Sequence, residues 1–452
     1  MSEARQENKM GVMPVKRLII SMSLPMMISM LVQAFYNVAD SLFVARVSEE
    51  ALTAVSLAFP MQNLMIAVAT GTGVGINALL SRSLGEKQYS ESNKAANTGL
   101  FLTFFSFVAF MILGSFITIP FVVSQTTSPD IVYHGVLYIS TVTMVSFGLF
   151  FQVVLERLLQ STGRTMLSMI SQITGAVINL ILDPILIFGL FGMPRMEVMG
   201  AAVATCIGQS CAAVTALFLN LKFNKEIKLS LDMIIHPSMP TVRQIYFVGI
   251  PSMLMVSIGS VMTYLMNLLL GTFSSTAQAV FGAYFKLQSF FFMPVFGLNN
   301  GLIPVLAYNY GARKKERITE ALRFSVMLAA VIMCMGTVIM ELIPAQLLEM
   351  FEASDEMLSI GVPALRVIGL HFPLAAFGIA LGSVFLAFSK SYYSMIVSLG
   401  RQLVILIPVA WALSLFGVLN YVWWCFPISE IVSFILTFIF YRRVKRIVID
   451  PL

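Results

Sequence analysis

The chain has 452 residues, of which 58% are hydrophobic and 11% charged, and its mean hydropathy is +0.88. A soluble domain carries about 25% charged residues, so this composition excludes a soluble enzyme or scaffold and predicts an all-α polytopic membrane protein. The formal net charge of +6 reports membrane topology and excludes a nucleic-acid-binding role, as the placement of the charges shows below.

In chain order, apolar runs long enough to span a bilayer as helices cover about 18–45, 51–80, 95–123, 132–158, 165–191, 198–221, 244–272, 277–308, 318–346, 357–387, 392–416 and 420–441. These predict 12 transmembrane helices. The chain is also written twice. Residues 25–170 moved by 226 positions fall on 251–396. Pro25 meets Pro251, Ser48 meets Ser274, Gln62 meets Gln288, Gly85 meets Gly311, and Ser168-Met169-Ile170 meets Ser394-Met395-Ile396. Six spans fall in each copy, and six is even, so both copies enter the membrane in the same direction. Two parallel six-helix repeats facing each other across a central site are a transporter architecture. The expected boundaries are an N-terminal lobe over 1–222 (helices 1–6), a cytoplasmic linker over 223–243 and a C-terminal lobe over 244–452 (helices 7–12).

Positive charge sets the orientation. With the N-terminus in the cytoplasm, the cytoplasmic segments hold 23 of the 28 Lys and Arg residues, including Arg5, Lys16, Arg17 and the runs Arg313-Lys314-Lys315 and Arg442-Arg443. The outer loops hold Arg46, Arg195 and Arg366. This positive-inside asymmetry places both termini in the cytoplasm, in a multi-pass protein of the inner (cytoplasmic) membrane. The first apolar stretch is too long for a signal-peptide core and has no small-residue cleavage site. Cys206, Cys211, Cys334 and Cys425 all lie in spans and read as free thiols acting as small apolar residues.

Ionisable groups inside spans are costly and usually functional. Asp40 lies in the first span, and Asp183 in the fifth. Asn179 and Asp183 share a helix face at i, i+4, and Pro184 removes a backbone donor there. The structural alternatives are a helix-end partner for Asp40, an Asp-Pro helix break for Asp183 and an interhelical hydrogen bond for Asn179. In the second copy Met266 and Val409 take the places of the two acids, so cation chemistry is expected in the first half. Lys286 is either a cavity counter-charge or a snorkelling side chain. Glu156 and Arg157, near the cytoplasmic end of span 4, read as interfacial; Glu430 reads as structural, and Arg401 is free to meet an acid across the bundle. His371 can titrate in span 10, although a lone histidine is more often a hydrogen-bonded core residue. The 30 methionines suit either core filling or a promiscuous apolar surface; a minority, with Phe35, Tyr36, Phe59, Phe150 and Tyr138, are candidates to line a cavity. The run Gly71-Thr72-Gly73-Val74-Gly75 lacks the flanking strand and Lys of a phosphate loop and reads as close helix packing.

Several motifs together resemble one family: Tyr36-Asn37-x-x-Asp40-x-x-Phe43-Val44, Ala51-Leu52-Thr53-Ala54-Val55-Ser56, Ser81-Arg82-Ser83-Leu84-Gly85-Glu86, Leu159-Gln160-Ser161-Thr162-Gly163-Arg164, Asp183-Pro184-Ile185-Leu186-Ile187-Phe188-Gly189 and Gly200-Ala201-Ala202-Val203-Ala204-Thr205. The whole chain is similar to the multidrug and toxic compound extrusion family, in the prokaryotic branch with an N-lobe cation site. The resemblance implies a V-shaped pair of six-helix lobes and export of cationic or amphipathic organic compounds in exchange for H⁺ or Na⁺. It implies a cation site at Asp40, Asn179 and Asp183, joined by Tyr138 and Thr205. The candidates for the substrate cavity are Gln33, Tyr36, Asn37, Lys286 and His371. Another branch carries acids in helices 7 and 10; here helix 7 has none and helix 10 offers His371, which argues against a C-lobe Na⁺ site.

The expected activity is thus a secondary active antiporter working as a monomer among membrane lipids, without a cofactor and without a metal beyond Na⁺ at Asp40, Asn179 and Asp183. A flippase of lipid-linked saccharides is the alternative, and would need several cavity Arg or Lys residues for a diphosphate. An intramembrane enzyme would need paired catalytic acids or a His-Glu-x-x-His run, and the three histidines, His134, His236 and His371, do not supply it. A passive channel would not drive uphill export.

Overall fold

The computed structural model describes residues 7–351 and 353–452, with Glu49 described in its backbone only; Arg5 lies outside the described residues. Ten helices are long and apolar enough to cross a bilayer, and two bent pairs make twelve if each pair is one span. They are α1 (Val15–Ala45), α2 (Glu49–Gly85), α3 (Tyr89–Val123), α4 (Pro129–Met144 with Phe147–Ser161), α5 (Thr165–Phe188), α6 (Glu197–Phe223), α7 (Met239–Gly271), α8 (Ser275–Gly311), α9 (Lys315–Leu342), α10 (Asp355–Gly369 with Phe372–Ala387), α11 (Ser391–Ser414) and α12 (Leu419–Ile449). In hydrocarbon every backbone group must be satisfied within the segment, and a helix does this. The runs expected at 132–158 and 357–387 are each bent by 45°, at α4 and α10. Both α1 and α5 run unbroken through Pro25 and Pro184; the sharp bends therefore lie elsewhere than at these prolines.

The 226-residue repeat extends to the details of the helix ends. Ser48 caps α2 by accepting from Ala51 N at 3.0 Å, and Ser274 caps α8 by accepting from Ala277 N at 3.0 Å. An N-cap oxygen satisfies a backbone donor that the first helical turn leaves unpaired. The hairpin after α2 places Lys87 in the left-handed region (φ 59°), and the hairpin after α8 places Arg313 there (φ 56°). Gln88 N donates to Ser83 O and Lys314 N to Asn309 O, each at 2.9 Å, the long-range bond of a Schellman stop. Gly163 (φ 87°) and Ser389 (φ 57°) close the fourth and tenth spans in the same way. The repeat diverges in α11, which is π-helical over Gly400–Leu406 where α5 is continuous α-helix.

The two copies meet through α1 against α8 and α2 against both α7 and α8. Small residues let the backbones touch. A Cβ on Gly301 would lie 2.7 Å from Ser23 Cα, one on Gly297 2.6 Å from Met27 Cα, and one on Gly71 2.7 Å from Gly249 O. One on Gly75 would strike the Ile245 carbonyl, one on Gly85 the Tyr308 carbonyl, and one on Gly311 the Arg82 carbonyl. The Gly71–Gly75 run is therefore packing, as its sequence context indicates. Further along, Asn63 hydrogen-bonds Ser260, and Phe35 meets Phe290 edge-on at 5.5 Å. Toward the opposite ends of the same helices Leu42, Phe59 and Tyr264 are exposed. The closest backbone approaches between the halves thus gather toward the basic end.

The basic end is also where the connecting segments dock. Lys228 N donates to Asn93 Oδ1 at 2.7 Å and Ser230 N to Asn97 Oδ1 at 2.9 Å, which ties the segment between α6 and α7 to the start of α3. Asn309 Nδ2 and Arg317 both donate to the Met10 carbonyl. Lys314 pairs with Glu7 at 2.9 Å and holds its carboxyl below the usual carboxylate range. That contribution exists above the ordinary carboxylate pKa and is lost as pH falls through the lowered value; the pair is exposed and is a weak one.

Gly85→Val should force the α2–α8 contact apart, at a cost of about 1–3 kcal/mol. At Gly282 an added Cβ would meet nothing within 4 Å, and replacement by Ala should gain up to about 1 kcal/mol. Thermal unfolding of the purified protein in detergent checks both: the melting temperature should fall for Gly85→Val and hold or rise for Gly282→Ala.

Candidate cation site and central cleft

A buried polar cluster of the first half is built on α5 and α6. Gly208 has no side chain, and a Cβ there would lie 2.7 Å from Gly175 O and 3.0 Å from Asn179 Cβ. The two helices therefore approach at backbone distance. Thr205, three residues before Gly208 on the same face, is brought against Asn179. The Asn179 amide nitrogen lies 3.4 Å from Asp183 Oδ1 and 3.3 Å from Thr205 Oγ1. Turned over, the amide donates to Asp183 Oδ2 at 3.3 Å while its oxygen accepts from Thr205 N at 3.1 Å, which satisfies both of its groups. Asp183 is fully buried and Asn179 nearly so. Pro184 has no N–H to offer the Leu180 carbonyl, so a backbone acceptor is spared one turn from these side chains.

Asp40 reaches the cluster from α1. It is half-buried, and its Oδ1 is fully enclosed without a hydrogen-bond partner. It lies within electrostatic range of Asp183 and beside the hydroxyls of Tyr36 and Tyr138. Tyr138, from the first segment of α4, is 2% exposed, and its hydroxyl accepts from Gln62 Nε2 at 2.9 Å. Asp40, Asn179, Asp183, Tyr138 and Thr205 thus come together from four helices. Gln62 of α2 is the member that sequence reasoning missed; its signal was an amide retained at the same place in both copies, opposite Gln288.

The cavity candidates divide. Tyr36 is half-buried beside Asp40, and Gln33 and Asn37 are exposed along α1. Lys286 is exposed, with its ammonium 5.9 Å from the centre of the Phe351 ring, within cation–π range. His371 lies in the second half, at the bend of α10; it is 6% exposed, with Nδ1 2.5 Å from Ile368 O and the rings of Phe292, Phe372 and Phe426 around it. It is a core histidine and is not part of the Asp40 cluster. Phe150 is likewise core, packed on Phe110 at 5.4 Å.

Glu156 and Arg157, near one end of span 4, are held inside the protein by hydrogen bonds. Both are buried. Glu156 accepts from Gln172 at 2.7 Å, Ser171 at 3.1 Å and Gln152 at 3.2 Å. Arg157 lies over Gly73 and donates to Gln160 at 2.9 Å and to Asn300 of the second half at 3.1 Å. Arg401 does meet an acid, pairing with Glu430 at 3.2 Å. All four cysteines are free.

The MatE family profile matches residues 25–185 and again residues 251–412, starting points 226 positions apart, over more than half of the chain. The chain is 28% identical over 444 residues to a Staphylococcus haemolyticus multidrug export protein, MepA, covering 95% of this chain and 94% of that one. It is 25% identical over 405 residues to an FAD transporter of Shewanella oneidensis, covering 88% of each. Its fold matches an outward-facing multidrug resistance MATE family transporter of the MOP superfamily with TM-score 0.92 at 25% identity, over 100% of both chains. Twelve helices in a doubled arrangement, apolar throughout, agree with that fold. The chain belongs to the MatE family of multidrug and toxic compound extrusion proteins, and is a membrane transporter, not an enzyme.

Proposed function

We propose that this transporter exports cationic or amphipathic organic compounds in exchange for H⁺ or Na⁺, by alternating access between lobes spanning 1–222 and 244–452. The observation that carries the reading is the pair of carboxylates, half-buried Asp40 and buried Asp183, brought within electrostatic range of each other beside Asn179 and Thr205. Two carboxylates close together in a medium of low dielectric repel. A proton on one of them, or Na⁺ between them, relieves the repulsion. The oxygens of Asp40, Asp183 and Thr205 are hard donors of the kind Na⁺ takes, and the same carboxylates serve H⁺. Asp40 sits on α1, which also forms the contact with α8, so an ion bound there pulls on the helix that joins the halves. Coupling requires that ion and exported compound prefer different conformations.

The multidrug export activity named for the staphylococcal relative supports an amphipathic substrate; the exposed Phe35, Phe59 and Tyr264 give it an apolar surface. The flippase alternative needs a cluster of cleft cations. Among the described residues, Arg157 is engaged by Gln160 and Asn300 and Lys286 lies over Phe351, and the two have no partner in common. We place the protein in the cytoplasmic membrane with both termini inside, working as a monomer.

Asp40→Asn or Asp183→Asn should weaken coupling-ion binding by roughly 10–100-fold, the value of one or two charge-assisted contacts. Export of a fluorescent cationic dye from a pump-deficient bacterial strain, with proton and sodium gradients collapsed separately, reads this out. Wild type should export and the variants should not, and the gradient whose loss stops wild-type export names the ion. Variants that export like wild type would make the acids structural.

Orientation has its own check. Lys225→Cys and Arg195→Cys should differ in reactivity toward a membrane-impermeant maleimide on intact cells. Arg195→Cys should label and Lys225→Cys should label only after permeabilisation; the reverse pattern would turn the topology over.

A further inference from the structure

The second half contains a polar pocket that the coupling reading does not use. A cavity of about 140 Å³ lies between α7, α8, α10, α11 and α12. Arg401 and Glu430 face each other across it at 3.2 Å through a single hydrogen bond, Arg401 Nη1 to Glu430 Oε2. Glu430 and Thr437 are almost fully buried. Thr437 Oγ1 and Asn299 Oδ1, both on the cavity lining, are enclosed and have no hydrogen-bond partner. A buried polar atom left unpaired costs about 1–3 kcal/mol, so two at one cavity point to something that satisfies them.

The local backbone is adapted to this place. Arg401 lies in the π-helical stretch Gly400–Leu406, and π-bulges are frequently found at functional sites. At the matching positions of the first copy stand Gly175 and Ala204. There α5 and α6 close together, so that a Cβ on Gly175 would lie 2.9 Å from Ala212 Cβ. The second copy has replaced a closed glycine contact with a charge pair and a cavity. The cavity also touches the helices that face the other half: Met255 of α7 and Phe296 of α8 line it, and Phe296 is 40% exposed.

We propose that this pocket is a second binding site, which takes the zwitterionic head of an ammonium-carboxylate compound with the apolar remainder against Phe296 and Met255. Charge balance selects this class. Arg401 and Glu430 together are neutral, and a lone cation or anion would leave a net charge buried at membrane depth, which is costly. A zwitterion keeps the pocket neutral and replaces the single Arg401–Glu430 bond. Its ammonium has three donors, and the pocket offers three acceptors: the Glu430 carboxylate, Asn299 Oδ1 and Thr437 Oγ1. Its carboxylate meets the remaining guanidinium donors of Arg401 and the Ser398 hydroxyl, whose oxygen already accepts from Gln402 Nε2 at 2.9 Å. The inference rests on the export reading only in taking the occupant to be a transported compound.

Calorimetric titration of the purified full-length protein with L-phenylalanine, phenethylamine and 3-phenylpropionate tests it. These probes share one ring and differ in head charge. The zwitterion should bind about tenfold or more tightly than either singly charged probe, the value of a charged hydrogen bond. Arg401→Gln should remove its advantage over phenethylamine, and Glu430→Gln its advantage over 3-phenylpropionate. Thr437→Val, which leaves both charges in place, should weaken the two ammonium probes and spare 3-phenylpropionate. Asp40→Asn should keep the preference. Equal binding of phenethylamine and L-phenylalanine, no binding of any probe to the wild type, or unchanged selectivity in Arg401→Gln and Glu430→Gln would each overturn the proposal. A wild type that exports dye but shows no preference overturns this inference alone. One that prefers the zwitterion but exports no dye overturns the export reading alone.

Discussion

Backbone contact between the two halves is the constraint on which the remaining architecture depends. In hydrocarbon there is no hydrophobic force to draw one helix to another, so association relies on close packing and interhelical hydrogen bonds. Gly71 against Gly249, Gly75 against Ile245, Gly85 against Tyr308 and Gly311 against Arg82 supply that packing at the basic end. Asn309, Arg317 and Lys314 add hydrogen bonds to the segment before α1. Where the glycines stand sets where the halves approach most closely.

The same device, used within one half, builds the acidic cluster. Gly208 and Gly175 bring α5 and α6 to backbone distance, and only at that distance does Thr205 reach Asn179. Asp40 is supplied by α1, a helix that also packs on α8 through Ser23 and Met27. The cluster and the joint between the halves therefore share one rigid element. On the proposed coupling reading, an ion at Asp40 and Asp183 would act directly on that element, with no long chain of intermediates required.

Duplication followed by divergence explains the contrast between halves. Helix caps, hairpin stops and the 45° bends recur in both copies, because they are what a membrane helix needs to start, stop and turn. Buried charges do not recur. The first copy keeps Asp40 and Asp183 over a closed glycine contact, and the second has Met266 and Val409 there with Arg401 and Glu430 nearby across an opened one. Scaffold residues are held by backbone geometry in both copies, whereas charged residues are free to move to wherever a cavity can hold them.

The sequence by itself determined the number of spans, the repeat, and the acids at 40 and 183, and its positive-inside asymmetry supplies the orientation proposed above. These are legible because the bilayer imposes a length, a polarity and a charge bias on each segment separately, and because a carboxylate within an apolar run stands out at once. Only the tertiary structure decided which polar residues share a site. Gln62 joined Tyr138, Arg401 joined Glu430, Glu156 and Arg157 were held inside the protein and His371 turned into an aromatic core. Each of these outcomes depends on helix rotation, on a bend or on a π-helical turn. Within a uniformly apolar span, hydrophobic periodicity does not encode rotation, because lipid-facing and core-facing positions are apolar alike.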